Sequence, residues 1–68
     1  MNDEALNMSI RKFLKMVGVS SQREIEQAVG KALADGRLAG GETLPATMTL
    51  RIGALQLEVI FDGEIRLQ

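Results

Sequence analysis

Val17-Gly18-Val19-Ser20-Ser21-Gln22-Arg23-Glu24 sets the course of the N-terminal half. Gly18 tolerates a positive φ, so it suits the position just past a helix end. Ser21-Gln22-Arg23-Glu24 matches a capping box: the serine oxygen takes the backbone N–H three residues on, and the glutamate reaches back. Together these signals predict one helix closing at Val17 and a second opening at Gln22. Before the break, Leu6, Ile10, Phe13, Leu14 and Val17 recur on one face at 3.6 residues per turn, which predicts a helix over 4–17. Asn2 or Asp3 is placed to cap it. After the break, Ile25, Ala28, Val29, Ala32 and Leu33 repeat the helical spacing over 22–35, and Gly36 suits the position after the helix end. A connection this short lays the two helices side by side as a helical hairpin.

From Thr47 the apolar period falls to two. Met48, Leu50 and Ile52 alternate with Thr47, Thr49 and Arg51. Leu55, Leu57, Val59 and Phe61 alternate with polar neighbours, Ile60 excepted. Gly53-Ala54 fits a two-residue hairpin loop that pairs Ile52 with Leu55, Leu50 with Leu57 and Met48 with Val59. Asp62-Gly63 reads as a second turn. A three-residue loop there pairs Val59 with Ile65 and Leu57 with Leu67, which keeps apolar side chains on one face. The stretch 36–46, with Gly36, Gly40, Gly41 and Pro45, reads as a surface connection. The expected fold is α+β, a two-layer ααβββ arrangement: a helical hairpin packed on one face of a three-stranded antiparallel β-meander, with strands about 47–52, 55–60 and 64–68. Residues 1–68 are expected to form a single small domain.

Composition narrows the function. The chain has 68 residues, 8 Lys+Arg against 9 Asp+Glu, and no Cys, His, Trp or Tyr. That excludes a disulfide framework, a zinc finger and imidazole catalysis. No hydroxyl lies at a spacing that suggests an activating base, and no Gly-rich loop follows a strand to cradle phosphate. Glu24 and Glu26 point well apart on a helix, and Asp62 and Glu64 flank a turn, so neither pair forms an acid/base couple. No catalytic, cofactor-binding or metal-binding residue can be named, and a non-enzymatic chain needing no cofactor is expected. The N-terminal segment mixes charge with apolar residues, unlike a signal peptide, and no apolar run spans a bilayer. A soluble cytoplasmic protein is the expectation.

A candidate interaction surface remains. Arg11, Lys12 and Lys15 form a basic cluster on the first helix, although bases near a helix C-terminus also complement its dipole. Met8 falls on the charged side of that helix, and Ile60 on the polar side of the sheet. Gly30 sits mid-helix, where it would admit close approach of another backbone. A short chain buries little surface and leaves its sheet edges open, a combination that self-association completes. The expected function is therefore a protein-interaction or self-associating module, its partner another protein or a second copy in a homodimer. The alternative is weak nucleic-acid binding through the basic face of the first helix. Three cations and no Tyr or Trp for base stacking make nucleic acid the weaker of the two. A helix-turn-helix across Gly18 lacks the expected apolar residue, because Glu24 occupies its place.

Asn7-Met8-Ser9-Ile10-Arg11-Lys12-Phe13-Leu14-Lys15, then Val17-Gly18-Val19 and Ser21-Gln22-Arg23-Glu24-Ile25-Glu26, resembles a set of short bacterial proteins of unknown function. The resemblance runs the length of the chain, through Leu44-Pro45-Ala46 and Asp62-Gly63. It implies a stand-alone bacterial cytoplasmic protein and supplies no activity or site residue.

Overall fold

Asn2 opens the first element. Its backbone is extended, and its side-chain oxygen accepts the Ala5 N–H at 3.1 Å, satisfying one of the free donors of the first turn. Asp3 and Glu4 add negative charge there. The computed structural model describes residues 1–68. In it α1 runs without a break over Asp3–Ala34.

The expected helical hairpin is thus a single helix. Gly18 stays helical and does not take a positive φ, and Ser21 caps nothing. Gly inside a helix costs about 1 kcal/mol relative to Ala, too little to force a break. The apolar pattern explains why α1 continues. Leu6, Ile10, Leu14, Val17, Ser21, Ile25, Ala28 and Ala32 follow one another in steps of four, four and three across the whole length. At 100° per residue they fall within an arc of about 100°. The two stripes that looked like two helices are one stripe in phase.

The end of α1 is as expected. Gly36 adopts φ 78°, the Arg37 N–H donates to the Ala32 carbonyl at 2.9 Å, and the Gly36 N–H donates to that of Leu33 at 3.2 Å. These are the paired closing bonds of a Schellman motif, and they require the left-handed residue that Gly supplies.

The C-terminal half is a β-hairpin, β1 (Thr43–Ile52) against β2 (Leu57–Arg66), in a two-stranded antiparallel sheet. The expected three-stranded meander is corrected by this pairing. Asp62-Gly63 makes no turn: Asp62 pairs with Thr47 and Gly63 with Ala46 in continuous ladder. The partner for the extra length comes from Thr43 to Ala46, part of the stretch read as a loop. Pro45 sits within β1 opposite Glu64. Proline is tolerated there because both strands of a two-stranded sheet are edges.

The hairpin turn also differs. A short 3-10 turn, Gly53–Leu55, followed by Gln56 at φ 51°, makes a four-residue loop, and the Gln56 N–H donates to the Gly53 carbonyl at 3.0 Å. The observed pairs are Ile52 with Leu57, Leu50 with Val59 and Met48 with Phe61. The register is displaced by two residues from expectation, so every apolar pair keeps its face.

The chain divides into two compact units, Met1–Arg37 and Leu38–Gln68. Ala32, 8% exposed, is its only buried apolar residue.

Candidate functional site

The surface of α1 offers two faces. The apolar stripe is wet along much of its length: Leu6, Ile10 and Leu14 are about half exposed, and Ile25 is little better covered. Its side-chain volumes are graded. Large residues (Leu6, Ile10, Leu14) occupy the N-terminal half, and small ones (Ala28, Ala32) the C-terminal end. Phe13, half exposed, flanks the stripe and joins Ser9, Lys12 and Met16 around a shallow, solvent-open hollow.

Met8, Lys12, Lys15 and Gly30 lie within about 60° of one another on the far side of α1 from the stripe, and Arg11 lies at its flank. The continuous helix therefore does bring Met8 and the two lysines onto one face. Gly30 shares that direction but stands about 22 Å beyond Lys15 along the axis. None of the three cations is within salt-bridge distance of an acid; the ion pairs of the chain are Arg37–Asp35 at 3.2 Å and Arg51–Glu58 at 2.9 Å. A Cβ added at Gly30 meets nothing within 4 Å.

Ile60 belongs to the hairpin and projects from its polar face, paired with Thr49 and 59% exposed. The opposite face of the hairpin is wholly apolar. Leu44, Ala46, Met48, Leu50 and Ile52 stand against Ile65, Gly63, Phe61, Val59 and Leu57. Met48 and Phe61 are each about half exposed. The expected surface did not include this face or the stripe of α1, because both were assigned to an interior.

Before β1 the backbone is held by one carboxylate. Glu42 accepts N–H bonds from Ala39 at 2.7 Å and Gly40 at 2.8 Å, and these donors hold its carboxyl below the usual carboxylate range. The Glu42 carbonyl accepts the Leu67 N–H at 3.0 Å, extending the ladder past Thr43 and Arg66. Gly40 turns at φ 110° to expose its N–H to the carboxylate. A carboxylate so engaged acts as an internal fastener and is poorly suited to general-base work.

A family match covers the whole chain. The chain belongs to DUF6494, a family of unknown function, whose model matches residues 1–68. The match agrees with the unknown-function family anticipated from the N-terminal segment. No curated protein and no solved structure matches the chain. No helix is long and apolar enough to cross a membrane.

Proposed function

We propose that this DUF6494 member is a non-enzymatic, self-associating interaction module whose fold is completed by a second copy. The carrying observation is that each unit, taken by itself, presents an apolar face: the stripe along α1 and the side of the hairpin that pairs Met48 with Phe61 and Leu50 with Val59.

Leu6, Ile10, Phe13 and Leu14 on α1, and Met48, Val59 and Phe61 on the hairpin, are all exposed. Burial of apolar surface stabilises by about 25 cal/mol per Å², so these faces are a large unused driving force. A two-stranded hairpin is at best marginally stable in water without something against its apolar face.

Sedimentation velocity at low micromolar concentration tests the reading. A species of twice 7.4 kDa supports it. A folded species of 7.4 kDa over the whole concentration range removes it.

A further inference from the structure

We infer that the chain self-associates through the outer edge of β2, which pairs antiparallel with β2 of a second copy about a two-fold axis at Asp62. This deepens the self-association reading and rests on it.

The ladder within the hairpin fixes which groups line that edge. The Leu67 N–H donates to the Glu42 carbonyl, so residues 42 and 67 form a hydrogen-bonded pair. In an antiparallel ladder such pairs alternate with pairs whose N–H and C=O groups point away from the partner strand. By that alternation Thr43, Pro45, Thr47, Thr49 and Arg51 point theirs outward on β1, and Glu58, Ile60, Asp62, Glu64 and Arg66 do so on β2. The sheet has only these two strands, so neither row is paired with a third.

The two edges are not equivalent. Pro45 interrupts the row on β1, because it has no N–H and its ring stands on the outer side. β2 keeps an unbroken row of donors and acceptors. Addition of β2 to β1 of the next copy is a head-to-tail contact that continues without closing, and Pro45 disfavours it. Pairing of β2 with β2 closes at two copies.

Charge and side-chain size select the register. With the axis at Asp62, Glu58 faces Arg66 of the second copy, twice. Arg66 has no ion pair in its own chain, and Glu58 uses only Oε1 on Arg51, at 2.9 Å. On the other face Leu57, Val59 and Phe61 meet Leu67, Ile65 and Gly63 of the second copy. Phe61 then lies beside a residue with no side chain, and the apolar faces of the two hairpins become one. Asp62 against Asp62 is the single repulsive pair. An axis at Ile60, Phe61 or Gly63 faces acid with acid twice, and an axis at Glu64 pairs only Asp62 to Arg66 within β2.

Nuclear magnetic resonance of the intact chain tests this at a concentration where sedimentation gives a dimer. In a mixture of isotope-labelled and unlabelled chain, cross-peaks between copies should join the α-protons of Phe61 and Gly63 and those of Val59 and Ile65, the close pairs that exchange no hydrogen bonds. The Ile60, Asp62 and Glu64 amides should exchange slowly with solvent, and those of Thr47 and Thr49 fast. Arg66→Glu should raise the dissociation constant about fivefold or more, and Asp62→Asn should lower it. A dimer whose inter-copy cross-peaks lie elsewhere, with the β2 amides exchanging as fast as those of β1, overturns the inference and leaves self-association intact. So does a dissociation constant that neither substitution changes. A folded monomer at every concentration overturns both readings.

Discussion

Leu6 and Ala32 stand on one face of α1 near its opposite ends, and the first is 45% exposed while the second is 8% exposed. The same contrast separates Ile10 from Ala28 in side-chain volume. The large, wet end of the stripe is therefore the end at which a substitution tests self-association. Ile10→Ala keeps a strong helix former and removes apolar surface from the wet end of the stripe. If that end is buried by self-association, the loss of a buried large side chain costs at least about 1 kcal/mol. The expected result is a dimer dissociation constant raised at least about fivefold, read by sedimentation equilibrium, with helix content unchanged at high concentration. An unchanged dissociation constant would show that this end of the stripe lies outside the contact.

Gly18 offers a direct check on the continuity of α1. Where a glycine closes a helix in the left-handed region, Ala is strained. Where it sits mid-helix with nothing near its absent Cβ, as Gly18 does, Ala stabilises. Gly18→Ala should stabilise the chain by about 1 kcal/mol, and Gly36→Ala should destabilise it by about 1–2 kcal/mol. Thermal or denaturant melts followed by circular dichroism measure both. A loss of stability from Gly18→Ala would restore the break.

Glu42 predicts a pH dependence of known sign. Its folded carboxyl is held down first by the Ala39 N–H and then by the Gly40 N–H. A depressed acid contributes stability that is fully present above its unfolded pKa, about 4.3, and is lost as pH falls through the folded value. Wild type should therefore lose this contribution on acidification below about pH 4.3, and Glu42→Gln should lack it. In an NMR titration the Ala39 and Gly40 amide resonances should move together with the Glu42 carboxyl. Titration of Glu42 at an ordinary pKa, with those amides unmoved, contradicts the fastening role.

Arg11, Lys12 and Lys15 share a side of α1 and lack ion-pair partners, so nucleic acid makes a useful control. Binding through so few phosphate contacts is weak and falls steeply with salt. Duplex DNA or RNA titrated at 50 mM salt should show no saturable binding. Measurable affinity with a slope near three, lost in a Lys12→Ala, Lys15→Ala double variant, would favour the basic-face alternative.

The sequence displayed some features plainly and concealed others for physical reasons. The cap at Asn2 and the stop at Gly36 were legible because each satisfies backbone groups within a single turn. The two-faced pattern of the hairpin was legible too, since strand periodicity survives a register error of two. Gly18 and Ser21 misled because a helix end and a capping box are local options. The outcome depends on whether the stripes on either side are in phase, and Val17, Ser21 and Ile25 show that they are. Asp62-Gly63 misled in the same way: its turn signal loses to the ladder that Thr43 to Ala46 provide. Of the candidate surface, Met8, Lys12 and Lys15 do share a face. The apolar stripe and the apolar hairpin face went unnoticed as surfaces because such residues are ordinarily interior.

Sedimentation velocity of the intact chain, from about one to one hundred micromolar, bears most directly on whether a second copy completes the fold. Self-association predicts one species of twice 7.4 kDa, with folded chain lost as the dimer dissociates at the lowest concentrations. A helical, cooperatively melting 7.4 kDa species at every concentration would contradict it.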